Sequence, residues 1–272
     1  MTLFEAIWKT FILGAVQGLT EFLPVSSSGH LTLLQKVLGY DEGSLMFVNI
    51  MLHFGTLISV LIVFRKDILA LFKKPFKTLL MLIVATIPAA VVGLLCNDYI
   101  EDIFAGERAL LYLAICFALT ALMLLITELI AKRRKKHTAL GWKNTIPMGL
   151  MQAVALFPGI SRSGSTIFAG TASGAKPENI AKFSFLMSIP VILGSFVLEL
   201  KDIIFPGETA KLVCGTNEII GMVVGVITAA VFGFLAIKFM LKVISKANYK
   251  WFALYLVLLS LTCFWLDVLA IL

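Results

Sequence analysis

The chain has 272 residues, 60% of them hydrophobic and only 14% charged, with a mean hydropathy of +0.98. A soluble domain averages about 45–50% apolar and about 25% charged residues, so one soluble core cannot hide this much apolar sequence and a bilayer must solvate it. The formal net charge of +7 does not point to nucleic acid, because the basic residues stand beside apolar spans, where they set topology.

In chain order, the first stretch, 4–38, is apolar but interrupted: it carries Glu5, Lys9, Gln17 and Glu21, then the break Pro24-Val25-Ser26-Ser27-Ser28-Gly29. No basic segment precedes its apolar part, so no cleaved signal peptide is expected. Three spans of about 20 residues, the length that crosses a bilayer, follow at 45–64, 78–96 and 109–130. A second interrupted stretch, 142–170, breaks at Pro158-Gly159 and continues Ile160-Ser161-Arg162-Ser163-Gly164. Three more spans, 183–200, 219–237 and 251–272, complete the chain. The four cysteines, Cys96, Cys116, Cys214 and Cys263, show no metal-type spacing, and no disulfide framework is expected.

Loop charge alternates. The connection after the first span holds Arg65, Lys66, Lys73, Lys74 and Lys77 against Asp67. The one after the third holds Lys132, Arg133, Arg134, Lys135, Lys136 and Lys143, and the one after the fifth Lys238, Lys242, Lys246 and Lys250, neither with an acid. The intervening loops lean acidic: Asp98, Glu101, Asp102 and Glu107 face Arg108, and Asp202, Glu208 and Glu218 face Lys201 and Lys211. The positive-inside rule then places the basic loops in the cytoplasm and both termini outside.

The two interrupted stretches correspond to each other. A shift of 135 lays Gln17 on Gln152, Phe22 on Phe157, Val25 on Ile160, Ser26 on Ser161, Ser28 on Ser163 and Gly29 on Gly164; it also lays Lys66-Asp67-Ile68 on Lys201-Asp202-Ile203. The common register points to an internal duplication. With three spans between the copies, they would lie upside down relative to each other, and two broken hairpins would meet near the midplane. The expected fold is therefore an all-α integral membrane protein: six transmembrane helices plus two re-entrant helical hairpins in an inverted-topology repeat. It forms a single polytopic domain over 1–272, with repeats at about 1–134 and about 135–272.

The chemistry sits at the breaks. Gln17 and Glu21 lie one turn apart on one helix face, just before a run of hydroxyls and His30. The second break offers one guanidinium, Arg162, among Ser161, Ser163, Ser165 and Thr166, with glycines that let backbone approach a ligand. A charge at bilayer depth costs about 2.5–3.5 kcal/mol on insertion scales, so Glu21 and Arg162 each need a partner or a ligand. An ion pair between them alone leaves unexplained why Ser26, Ser27, Ser28, Ser161, Ser163, Ser165, Thr166 and His30 gather at the same two breaks. A planar donor fork, shorter hydroxyl donors and helix N-termini together suit a phosphate. Phosphoryl transfer then assigns charge neutralisation to Arg162, attack to Ser27 or His30, and proton acceptance or metal ligation, with Mg²⁺ or Ca²⁺, to Glu21. His53 reads as a packing or interhelical hydrogen-bonding residue and His137 as solvated; Glu128, Glu199 and Asp202 read as ordinary charges at span ends.

Glu21-Phe22-Leu23-Pro24-Val25-Ser26-Ser27-Ser28-Gly29-His30 resembles the first signature of the undecaprenyl-diphosphate phosphatase family, the bacitracin-resistance type. Pro158-Gly159-Ile160-Ser161-Arg162-Ser163-Gly164-Ser165-Thr166 is similar to its second signature, Pro-Gly-x-Ser-Arg-Ser-x-x-Thr, at every specified position. Length, span number and motif placement extend the resemblance over the whole chain. It implies release of phosphate from undecaprenyl diphosphate in a bacterial plasma membrane, recycling the lipid carrier of cell-wall polymers, with divalent metal assisting and the site open to the outer face. It also implies that Glu21, Ser27, His30 and Arg162 are catalytic. Gln17, where the family pattern allows Glu or Gln, offers metal a carbonyl oxygen instead of a second carboxylate.

The resulting expectation places the phosphates on Arg162 and the hydroxyls of Ser26, Ser28, Ser161, Ser163 and Thr166, with Gln17 beside Glu21 as substrate and metal ligand. The nucleophile is Ser27, His30 or water, Ser27 being preferred, with His30 then handling the proton. The partners are the polyprenyl diphosphate lipid and the bilayer, with no nucleic acid; a homodimer is compatible with the sequence. The rival reading is a lipid-phosphate carrier using the same anion site, against which Glu21 and His30 argue, since an anion carrier gains nothing obvious from a carboxylate. A structural scaffold explains neither break. The phosphatidic-acid-type phosphatases are excluded, because no His follows Arg162.

Overall fold

A computed structural model describes residues 2–38, 42–204 and 215–269. The side chains of Glu199, Lys201 and Asp202, and all of Glu208, Lys211 and Cys214, lie outside what it describes, so the acidity of that loop and the second copy of Lys66-Asp67-Ile68 rest on sequence. The described residues are helical, with one isolated β-bridge between Thr138 and Ala175.

The first broken stretch forms α1 (Leu3–Phe22) and α2 (Ser27–Leu38). Thr2 and Glu5 close a capping box at the start of α1, satisfying free amides there. After α3 (Glu42–Val63) the chain bends by 80° into the short α4 (Arg65–Leu71). Then come α5 (Lys77–Ala105), α6 (Ala109–Arg133), α7 (Trp142–Val154), α8 (Arg162–Ala172), α9 (Pro177–Ile204), α10 (Thr216–Lys246) and α11 (Lys250–Val268). Five of these, α5, α6, α9, α10 and α11, are long and apolar enough to cross a membrane, and α3 with α4 makes a sixth if the bent pair counts as one span. All six expected spans fall on helices over their described residues, 270–272 of the last lying outside them. Outward-facing apolar side chains such as Leu95, 78% exposed, and Val197, 62% exposed, match a lipid-facing surface rather than a water-facing one.

Both breaks are shorter than the motifs that mark them. Ser27, Ser28 and Gly29 already belong to the first turn of α2, and Arg162, Ser163 and Gly164 to that of α8. Proline and glycine end the preceding helix, but hydroxyls then favour starting the next one, because serine supplies an N-cap acceptor.

In hydrocarbon, apolar burial does not drive helices together, so close backbone approach and hydrogen bonds must. The α1–α10 contact shows this. A Cβ on Gly14 would lie 2.4 Å from the Gly225 carbonyl oxygen, and one on Gly18 2.6 Å from that of Ala229. Thr10 Oγ1 donates to the Gly221 carbonyl across the same seam at 2.6 Å. The α7–α5 contact repeats the device: a Cβ on Gly149 would lie 2.5 Å from the Ala85 carbonyl oxygen.

The basic connections gather at one end of the bundle. Lys182 near the start of α9 pairs with Asp67 of α4 at 3.0 Å. Thr138 exchanges backbone hydrogen bonds with Gly174 and Lys176, tying the 132–143 connection to the turn before α9. Glu128, on the last turns of α6, pairs with Lys132 and accepts from the backbone amides of Tyr249 and Lys250 at 2.7 and 2.6 Å. The expectation of an ordinary span-end charge at Glu128 is corrected: it is buried and caps the positive N-terminal end of α11.

Candidate active site

The site is built where the two broken pairs meet. Their tips are stitched by reciprocal hydrogen bonds: the Gly159 amide donates to Ser26 Oγ at 3.1 Å, and Ser163 Oγ donates to the Leu23 carbonyl at 3.1 Å. Ser26 holds φ at +68° and Gly159 at +92°, so each tip turns through the left-handed region. Glycine adopts that conformation freely, whereas in Ser26 it stores on the order of 1–2 kcal/mol. The strain is held in place because the Ser26 hydroxyl takes amides from Gly29 and Gly159, and its carbonyl takes the His30 ring.

Glu21, 8% exposed, is the hub. Its Oε1 accepts from Arg162 Nη2 at 2.6 Å. Its Oε2 accepts from Ser27 Oγ at 2.6 Å and from Gln17 Nε2 at 3.1 Å, and faces His53 Nε2 at 3.8 Å. The second guanidinium nitrogen of Arg162 donates to the Ser184 carbonyl on α9 at 3.3 Å, so the fork spans two elements. Ser27 and Arg162 both open helices, Ser27 as the first residue of α2 and Arg162 as the first of α8, where unpaired amides favour an anion. The arrangement therefore offers an anion a fixed guanidinium and two helix starts. It also aims a half-buried hydroxyl at a carboxylate within proton-transfer distance.

The structure brings Gln17, Glu21, Ser27 and Arg162 into direct contact; it places the other expected site residues differently. Ser161 caps α8 through the Gly164 amide at 3.1 Å, Ser26 plays the same part for α2, and Ser26–Ser28 and Ser161–Ser163 are each hydroxyl pairs at 3.3 Å. Thr166 is fully buried and bonded to the Ser184 hydroxyl at 2.6 Å. These hydroxyls, apart from the half-buried Ser28, are buried and spent on shaping the tips. His30 stands away from Glu21: its Nδ1 meets the Ser26 carbonyl at 2.7 Å, its Nε2 meets the Tyr255 hydroxyl at 2.6 Å, and its ring stacks on Tyr255. The carbonyl contact requires a proton on Nδ1, which leaves Nε2 of the neutral ring accepting from Tyr255.

His53, Ser184 and Tyr255 are additions that the sequence reading does not place at the site. An ionisable side chain inside a span is by itself a functional signal, and that alone would have singled out His53. Tyr255 is one aromatic residue among many in an apolar span and carries no such mark.

Among the described residues no three His, Cys, Asp or Glu converge as a metal cluster. The donor set nevertheless fits a hard cation that takes most of its ligands from elsewhere. Glu21 offers a carboxylate, Ser27 a hydroxyl, and Gln17 Oε1 is a buried carbonyl oxygen without a hydrogen-bond partner.

Residues 10–262 match the family described as bacitracin resistance protein BacA. The chain is 43% identical over 256 residues to undecaprenyl-diphosphatase of Carboxydothermus hydrogenoformans, covering 94% of this chain and 95% of that protein. It is 41% identical over 248 residues to undecaprenyl-diphosphatase 4 of Bacillus thuringiensis subsp. konkukian, covering 91% and 92%. It is 37% identical over 254 residues to undecaprenyl-diphosphatase of Halothermothrix orenii, covering 92% and 93%.

Proposed function

The chain belongs to the BacA family of bacitracin resistance proteins, and from that premise we infer that it hydrolyses undecaprenyl diphosphate to undecaprenyl phosphate and inorganic phosphate. It is a multi-pass membrane hydrolase of cell-wall lipid recycling. The observation that carries the mechanism is the convergence of the Ser27 hydroxyl and the Arg162 guanidinium on the two oxygens of one buried carboxylate, Glu21.

In the mechanism we propose, the prenyl tail stays among the spans and the diphosphate enters between the tips. Arg162 moves its hydrogen bonds from Glu21 to oxygens of the terminal phosphate, and the α2 and α8 starts add their dipoles. Ser27 Oγ attacks the terminal phosphorus and its proton passes to Glu21. The bond to the bridging oxygen breaks, and its electron pair departs with the lipid monophosphate. Glu21 loses its proton to solvent, then takes one from the water that attacks the phosphoserine; the bond from phosphorus to Ser27 Oγ breaks, Glu21 returns the proton to that oxygen, and inorganic phosphate leaves. His30 holds the tip through Ser26, so the proton falls to Glu21, which Ser27 touches, rather than to His30. Glu21 and Gln17 would hold a Mg²⁺ or Ca²⁺ ion. Such a cation supplies neutralisation of phosphate charge.

The inverted repeat belongs to the same proposal, with halves at about 1–134 and about 135–272. It is supported by the matched serine caps at Ser26 and Ser161, the matched 3.3 Å hydroxyl pairs, and the matched pressing of Gly14 and Gly149 on partner helices. An odd number of spans between the copies then makes both pairs re-entrant from opposite sides. The gathered basic connections support a cytoplasmic end there, with both termini outside. Opening of the site to the outer face follows the family resemblance.

The test is phosphate release from undecaprenyl diphosphate by purified protein in detergent, with Mg²⁺, Ca²⁺ or chelator, alongside Glu21→Gln. Metal-dependent release lost by about 100-fold or more in the variant is expected, the scale of a displaced general base. No release from folded wild-type protein under any metal refutes the enzyme reading.

A further inference from the structure

Buried polar atoms without partners are rare, and each is costly unless something outside the protein satisfies it. Among the described residues four such side-chain atoms occur, and three belong to two glutamines 135 positions apart: Gln17 Oε1, Gln152 Nε2 and Gln152 Oε1. The proposed mechanism uses Gln17; nothing so far uses Gln152.

Gln152 is 1% exposed and lies on the buried face of α7, three residues after Gly149, as Gln17 lies three after Gly14 on α1. One turn further on, α1 presents Glu21, which takes the Gln17 amide. The matching position in the second copy is Leu156, just past the end of α7, and it has no acceptor to give. A position that only packed would be filled at lower cost by leucine or methionine.

Building on the phosphatase reading, we propose that Gln152 binds the lipid-side phosphate of the diphosphate, its Nε2 donating to phosphate oxygens and its Oε1 accepting from bound water. In-line displacement points to that phosphate. Ser27 attacks from the first broken pair, and in-line displacement puts the leaving oxygen on the far side of the terminal phosphorus. The second pair, whose α8 begins with Arg162 and whose α7 carries Gln152, meets the first pair tip to tip, bonded to it through Gly159 and Ser163. An uncharged amide suits the leaving group, which must be held in the substrate and released as product.

The experiment uses full-length protein in detergent and the variant Gln152→Leu. KM and kcat, the melting temperature, and inhibition by undecaprenyl phosphate and by inorganic phosphate are all measured. We expect an unchanged or raised melting temperature, since an unpartnered amide is removed, and a KM raised about tenfold with kcat less affected. Inhibition by undecaprenyl phosphate should weaken about tenfold, the low end for a hydrogen bond to a charged group, while inhibition by inorganic phosphate stays as in wild type. Unchanged KM and product inhibition overturn the proposal, as does equal weakening toward both phosphates. If Gln152→Leu does not fold, Gln152→Met preserves chain length, and failure of both makes the role structural and overturns it too. Wild-type protein without turnover in the same assay overturns the phosphatase reading itself; normal wild-type turnover beside an indifferent variant overturns only this assignment.

Discussion

Arg162→Lys separates the charge of the proposed phosphate clamp from its shape. Arg162 reaches Glu21 on α1 with one nitrogen at 2.6 Å and the Ser184 carbonyl on α9 with the other at 3.3 Å. A lysine keeps the positive charge and so keeps Glu21 compensated, but its single nitrogen cannot bridge two helices or grip two phosphate oxygens. A hydrogen bond to a charged group is worth about 1.5–3 kcal/mol, and a bidentate clamp reduced to a point contact loses one of them. At about 1.4 kcal/mol per tenfold, kcat/KM should fall by about 10- to 150-fold while the protein still inserts and melts near the wild-type temperature. Arg162→Ala is the poorer probe, because it strands Glu21 as an unpaired buried charge, a stability loss of about 3–5 kcal/mol that mixes folding with catalysis. The assay is steady-state phosphate release from undecaprenyl diphosphate, with melting followed in parallel. A lysine variant within about threefold of wild type, less than 1 kcal/mol, would refute the bidentate clamp.

Two further outcomes follow from the same geometry. Ser27→Ala should lower kcat on the order of 10³-fold or more, and acid-quenched protein should carry a covalent phosphate only when Ser27 is present; a labelled alanine variant would move the nucleophile elsewhere. Tyr255→Phe removes the hydroxyl that meets His30 Nε2 at 2.6 Å but leaves the ring stack and the Ser26 contact, so it should cost less than about tenfold, with His30→Ala costing more. Phosphate release by the two variants ranks them, and Tyr255→Phe as inactive as Ser27→Ala would give Tyr255 a direct catalytic part.

How much of the site was legible depends on the kind of evidence each residue carries. Gln17 with Glu21, and Ser27 and Arg162 beside their prolines and glycines, stand out because polar groups at bilayer depth are costly and need a reason. The hydroxyls stand out equally, yet they divide into two jobs. Ser161 caps a helix and Ser163 bonds the Leu23 carbonyl, whereas Ser27 reaches a carboxylate. Composition cannot separate these, because a capping serine and a reacting serine are the same residue type distinguished only by what faces them.

Sequence by itself determined the membrane, the helical class, the five or six apolar spans, the two breaks and the chemistry gathered at them. Each follows from local constraints: about 20 apolar residues cross a bilayer, proline and glycine end helices, and lipid tolerates buried charge only with a partner. Tertiary structure alone decided who the partners are. Glu21 and Arg162 meet across 141 residues, His30 and Tyr255 across 225, and Glu128 caps a helix 121 residues away. Periodicity says which face of a helix is buried, but which helix covers that face is set by how glycine-lined seams and hydrogen bonds fit together in three dimensions.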